Sequence, residues 1–258
     1  MTTLVLMKAM VKRYGIELRR YYFNTLSGLV TVYMIFLFIF LGARSFAGNT
    51  PGFGETHAAL VVGFMIWFLA LFAYDELSWV LIQEAQQGTL EQLSMSPLGF
   101  GRVLLSRILA ALVFDIGIML IFLVLMMAST GKWLHLDFLS IFPLLLLTVA
   151  GVLGIGFIMG GLALVFKQIE GSFQILQFMF VAMIAAPPER FSFAKYLPLS
   201  WGTNLIRRVM IEEASILEIP VGDLLFLVGN AVFYLGLGFA IFKFFEHQAR
   251  DQGLLGHY

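Results

Sequence analysis

The sequence contains no cysteine, which excludes a disulfide framework, a thiolate metal site, an iron–sulfur cluster and a cysteine nucleophile. Charge is also scarce. Asp, Glu, Lys and Arg make up 12% of the 258 residues, against about 25% in an ordinary water-soluble domain. Sixteen Lys and Arg offset sixteen Asp and Glu, so no excess of either sign steers the chain toward nucleic acid or an acidic substrate. The four histidines, His57, His135, His247 and His257, fall in loops and the C-terminal tail with no H-E-x-x-H or paired-ligand spacing. No G-x-x-x-x-G-K-[ST] phosphate loop occurs, so the chain cannot cradle ATP phosphates by that route. An intramembrane protease needs a Ser/His or double-Asp arrangement within its spans, and one intramembrane acid does not supply it. These absences give no enzyme and no cofactor or metal bound by this chain.

What is present is apolar surface. Hydrophobic residues reach 60%, where soluble domains sit near 45–50%, and the mean hydropathy is +0.92. The reading is an all-α integral membrane protein with a single permease-sized domain, 1–258. A crossing needs about 20 largely apolar residues to cover roughly 30 Å of hydrocarbon, and only helices satisfy their own backbone there. Six stretches qualify: Tyr21–Ala43, Ala58–Tyr74, Ile108–Gly131, Phe138–Phe166, Gly171–Pro188 and Leu224–Phe242. Pro143 is expected to bend or tilt the fourth.

An even number of spans puts both termini on one side. Placing the termini in the cytoplasm collects ten Lys and Arg inside and leaves six outside, which fixes the orientation. Ser45-Phe46-Ala47 looks like a signal-peptidase site, but the apolar run before it exceeds a signal core of about 7–15 residues, and its loss would leave five spans.

Three segments lie outside the spans. In 1–20, Leu4, Met7, Val11, Tyr14 and Leu18 form one helical stripe opposite Lys8, Lys12, Arg13 and Arg20, the pattern of a helix lying in the cytoplasmic interface with its cations toward anionic lipid headgroups. In 83–101, Thr89 precedes Gln92 by three residues, a capping-box spacing. Gly88 comes before it, and Pro97 and Gly99 after it, so two turns of helix are expected. Leu90 and Leu93 on one face, with Glu91 beside them, suit a hydrophobic groove on a cytoplasmic partner. In 189–222, Phe191, Phe193, Tyr196 and Trp201 stand among prolines, followed by Leu205, Ile206, Val209 and Met210 at helical spacing around Arg207 and Arg208. Aromatics at this density suit a membrane interface, and the residues by themselves describe an amphipathic cap on the outer leaflet.

Read together, Glu84, Gly88-Thr89-Leu90-Glu91, Leu93 and Pro97 resemble the loop after the second span of type-2 ABC transporter permeases, the membrane subunits of ATP-driven exporters. The ending Gln252-Gly253-Leu254-Leu255-Gly256-His257-Tyr258 is similar to tails of the drug-exporter branch. The resemblance covers the whole layout of the chain, and it implies, as an alternative to the cap, that 189–222 forms short helices that dip back from the outer face and help close the exit. It implies that Glu84 to Pro97 form a coupling helix seated on an ABC ATPase subunit, present in two copies, which binds the ATP and Mg. It also implies a second permease chain, identical or related, and a prokaryotic inner or cell membrane as the location. The substrate would be a small amphipathic or lipophilic compound such as a drug, moved when spans one, two and five tilt to open a path between the two permease chains. A lipid-linked glycan exporter, or a membrane assembly scaffold without transport, is the alternative.

Within the spans, Asp115 is the one charge well inside an apolar stretch, which makes it a substrate-cation candidate or, alternatively, a partner of Arg107 two turns earlier. Asp75, Glu76, Gln174 and Gln177 complete the candidate pathway. Asn230 is expected either to hydrogen-bond between helices or to face a pathway, and the glycines of the fourth span, with the Gly156 and Gly160 pair, mark close packing.

Overall fold

The structure is a computed structural model that describes residues 2–47, 53–86, 100–166, 169–186, 188 and 191–251. Among them every regular element is helical: α1 (Thr2–Arg20), α2 (Tyr22–Ala47), α3 (Phe53–Gln86), α4 (Phe100–Thr130), α5 (Phe138–Val165), α6 (Glu170–Ala185), a 3₁₀ helix (Ser192–Tyr196), α7 (Ser200–Ile211) and α8 (Val221–Asp251). Among the described residues, five stretches are long and apolar enough to cross a membrane: Tyr22–Ser45, His57–Glu76, Val103–Thr130, Phe138–Val165 and Val221–Ala249. The fifth predicted span is the exception. It is helical over 16 residues in α6, about 24 Å at 1.5 Å per residue, short of the hydrocarbon thickness.

A second difference lies in α3. Its 34 residues extend about 50 Å, past the Asp75-Glu76 pair and into the segment predicted as a separate loop. His57, expected in a loop, sits in its first turns, edge-on to Phe40 at 4.8 Å.

Helix α5 is the spine. Its most extensive partner is α8, followed by α3. Glycine makes both contacts close. A Cβ on Gly154 would collide with the Tyr234 carbonyl of α8, and one on Gly238 with the Gly154 carbonyl, so the two backbones touch directly. Gly156, about 200° further round α5, lets the Tyr74 backbone of α3 approach to 3.1 Å of a would-be Cβ. Gly154 and Gly156 thus serve two opposite faces of one helix.

The predicted stripe of α1 faces inward. Met7, Val11, Tyr14 and Leu18 are half-buried while Lys8, Lys12, Arg13, Arg19 and Arg20 are exposed. Tyr14 stacks on Phe114 of α4 at 5.1 Å between ring centroids. The junction to α2 is one residue, Tyr21, bridged by Tyr21 N–H to Glu17 O at 2.9 Å and Thr25 N–H to Tyr21 O at 3.0 Å.

At the opposite end of the bundle, α7 inserts between α3 and α5. Its Trp201, Thr203, Leu205, Ile206, Val209 and Met210 are all buried. Gly202 meets the Thr148 side chain of α5, Pro198 rests on Gly151, and the Ser200 hydroxyl donates to the Met183 carbonyl of α6. The segment is therefore packed among the helices of the bundle. Around it, Lys195 lies 4.2 Å from the Trp201 ring centroid and pairs with Asp223 at 3.7 Å, and Arg208 reaches the same carboxylate at 3.8 Å. Asn230 and Tyr234 of α8 both donate to the Tyr196 carbonyl, at 2.9 and 3.1 Å, so Asn230 does bond between elements as expected.

Candidate functional site

Three helix faces enclose a cleft of about 500 Å³. Helix α2 contributes Ile35 and Ile39 and α3 contributes Ala59, Leu60, Gly63, Phe64 and Trp67. From α6 come Gln177, Phe178, Val181, Ile184 and Ala185, and α7 sends in Arg207. The spacings of four, and of one, four and eight, place each set on one side of its helix. The volume lies within the roughly 300–1,000 Å³ of small-ligand sites. The walls are apolar, and Ile35, Ile39, Phe178 and Val181 are still exposed, so the cleft opens on the flank of the bundle.

Its polar groups are few. The Trp67 indole N–H donates to the Gln177 carbonyl at 3.4 Å, clamping α3 to α6. Arg207 enters beside Gly63. A Cβ at Gly63 would lie 3.3 Å from the guanidinium Nη2 and 3.2 Å from Ile184, so the bare glycine makes room for the cation.

The predicted pathway residues divide into two groups. Gln177 lines the cleft. Below it on the same α3–α6 seam, the Tyr74 hydroxyl donates to the Phe173 carbonyl at 3.1 Å and shares a hydrogen bond with Asp75. Gln174 is exposed on α6. Glu76 and Asp115 lie elsewhere, where α1, α3 and α4 meet. Asp75 and Glu76 are neighbours in sequence, but the ~100° step of the helix sends one toward α6 and the other toward α4.

At that junction Asp115 is 2% exposed. Its Oδ1 has no hydrogen-bond partner among the described residues, and the side chain is joined to the Tyr14 hydroxyl. Burial, followed by the charges of Asp115, Glu76 and Glu17, pushes the Tyr14 phenol well above its ordinary range. The Arg107 guanidinium faces Glu76 at 3.8 Å. On the outward side of α1, Lys12, Arg13 and Arg20, with Glu17 bound to Arg13 at 2.9 Å, line a groove of about 460 Å³.

Gly88, Thr89, Leu90, Glu91, Leu93 and Pro97 lie outside the described residues, and of Glu84 only the helical backbone of α3 is described. Among the described residues no group of three or more His, Asp or Glu could hold a metal ion. Sequence reasoning missed Arg207 as a site residue. Its signal was present, a cation between the two apolar pairs of the 205–210 stripe, but periodicity alone does not tell a surface cap from an inserted helix. No protein-family model matches the chain, and no curated protein matches it.

Proposed function

We propose that the chain is the membrane subunit of an ATP-driven exporter of the type-2 ABC permease kind. Two permease chains, identical or related, enclose the substrate path, and a separate ATPase docks on Glu84 to Pro97. The observation that carries this reading is the flank-opening cleft between α2, α3 and α6. These are the first, second and fifth predicted spans, the three that the resemblance makes the moving walls of the path. A second chain laid against the flank would turn two half-clefts into one central cavity.

In this reading α6 completes a six-span layout. Its short length is tolerated because it is packed on α3 and α7 rather than standing alone in lipid. Both termini lie in the cytoplasm of a prokaryotic cell membrane, with the cationic side of α1 on anionic headgroups. The substrate is a small amphipathic compound. The inserted α7 closes the outer end, and the path opens when the ATPases draw the coupling segments together.

The test is a mild-detergent pull-down from native membranes with mass spectrometry. Co-purification of an ATPase bearing a phosphate loop, lost with Leu90→Asp or Leu93→Asp while the chain stays folded and inserted, is the expected result. An ATPase retained by both variants refutes the docking segment, and an intact chain with no ATPase at all favours the scaffold.

A further inference from the structure

We infer that the α2–α3–α6 cleft takes an anionic amphiphile, its head group on Arg207 and its apolar body along the wall toward Gln177. This names the substrate class of the site and rests on the transport reading above.

Among the described residues the lining contains one charged side chain, Arg207, and no acid. Its guanidinium comes from α7, a different element from the three that form the walls, and reaches the cleft beside Gly63, the seventh residue of the apolar stretch His57–Glu76. A cation at that depth is costly for a membrane protein to maintain and marks a binding path more often than a packing contact. Its planar fork of donors matches the oxygens of a carboxylate, sulfonate or phosphate.

The cleft is polarised along its length. Ile184, beside the guanidinium, and Gln177, at the other end, are seven residues apart on α6, about 10 Å along the helix. Phe178 and Val181 lie between them. A charged head at one end and an apolar body of that length is the complement. The volume of about 500 Å³ suits one small amphiphile, and the described lining offers a cationic head no carboxylate.

Trp67 in the wall reports occupancy directly. The purified chain in phosphatidylcholine nanodiscs is titrated with a brominated alkyl sulfonate, the uncharged alcohol of the same chain and the trimethylammonium analogue, reading tryptophan quenching. Trp67→Phe identifies the contribution of Trp67 among the four tryptophans. The sulfonate should quench Trp67 at about tenfold lower concentration than the alcohol, and the ammonium should be weakest. Arg207→Gln should erase the preference while Arg207→Lys keeps most of it.

Equal quenching by all three heads means the cleft holds ordinary bilayer chains. No quenching from a dimeric chain means a second copy covers it. Preference surviving in Arg207→Gln places the anion elsewhere. Each of these overturns the inference. The head-group comparison needs only the wild-type chain, so it decides even if Arg207→Gln fails to fold. Loss of the preference with ATPase co-purification intact removes the substrate class alone, and the reverse outcome removes the transport reading and leaves the site.

Discussion

Replacing Gly154 with alanine adds one methyl where α5 and α8 touch backbone to backbone. That carbon would fall against the Tyr234 carbonyl and 2.8 Å from the Leu235 amide nitrogen. Neither atom can rotate away, because both belong to the hydrogen-bonded ladder of α8. Non-bonded contacts settle near 3.5–4.0 Å, so even the Leu235 nitrogen must recede by most of an ångström. A gap of that size forfeits roughly a quarter to a half of each dispersion contact along the seam, including those of Phe157 with Phe239 and Phe242, at 5.8 and 5.7 Å between centroids. Overpacking costs about 1–3 kcal/mol, and an immovable backbone places this case near the top. Removing a glycine from a helix interior returns about 1 kcal/mol. The net expectation is a loss of about 2 kcal/mol, or about 30-fold in the folding equilibrium. Gly117 of α4 and Gly28 of α2 have nothing within 4 Å of a would-be Cβ, so alanine there should be neutral or stabilising by up to about 1 kcal/mol. The assay is equilibrium unfolding in mixed micelles by titration with a denaturing detergent, followed by tryptophan fluorescence. Gly238→Ala opens the same contact, so the Gly154→Ala/Gly238→Ala double variant should lose clearly less than the sum of the two. If Gly154→Ala leaves the midpoint where Gly117→Ala leaves it, or the two seam variants add in full, the backbone contact is not as described.

Two other predictions concern carboxylates. Asp115→Asn should be neutral or stabilise by on the order of 1 kcal/mol, because it removes a buried charge with an unpartnered oxygen beside Glu76. Tyr14→Phe should cost about 1–3 kcal/mol by leaving that carboxylate unsatisfied, and in the same unfolding assay a loss with Asp115→Asn as large as with Tyr14→Phe would refute the account. Asp137 caps α5 by accepting from the Ser140 hydroxyl and the Leu139 amide, and the Ser140 hydroxyl in turn accepts the Ile216 N–H at 2.9 Å. The Ser140 bond, with the backbone amides, holds the Asp137 carboxyl below its usual range. Stability from such a group is fully present above the ordinary carboxylate pKa and is lost as pH falls through the depressed one. The exchange protection factor of Ile216 should therefore be flat from neutral pH to about pH 4 and fall below it, whereas Asp137→Ala should sit at the low level throughout; a pH-dependent fall persisting in Asp137→Ala would refute it.

The spans that the sequence marked well are those in which an apolar run ends at water on both sides. Tyr22–Ala47, Phe138–Val165 and Val221–Asp251 begin or end within a few residues of the predicted limits or extend into a charged flank. Asp75-Glu76 marks the end of the apolar stretch, His57–Glu76, but not of the helix: Glu76 faces Arg107 and α3 continues to Gln86. The glycines of the fourth span announced close packing without saying against what. The structure uses Gly154 for α8 and Gly156 for α3, a distinction carried by the partners and not by spacing. The cleft was half legible. Gln177 could be named from its polarity in an apolar helix. Arg207 could not, because its position depends on how deeply α7 inserts, and that is set by tertiary contacts at Gly202–Thr148 and Pro198–Gly151.

Those same contacts sort the helices by how firmly they are held. Two-thirds of the apolar window of α3 is buried, 67%, and 56% of that of α5, against 11% for α2. Helices α3, α5, α7 and α8 are joined by backbone contacts and inserted side chains. Helix α2 is held chiefly through Phe36 and Phe40, which pack on Phe64 and His57, and through Tyr33 on Phe122. Helix α6 is short and is pinned by single bonds such as Trp67 to Gln177 and Tyr74 to Phe173. The cleft lies on the line between the firmly and the loosely held parts. Displacing α2 or α6 there breaks few buried contacts, whereas displacing α5 breaks many, so the lowest-cost motion of the bundle is one that changes the width of the cleft. Arg207 is anchored on the firm side through α7. In the transport reading proposed above, a wall that moves past a fixed cation alters how well a bound anion is enclosed without altering what it is bound to, which is the kind of change alternating access requires.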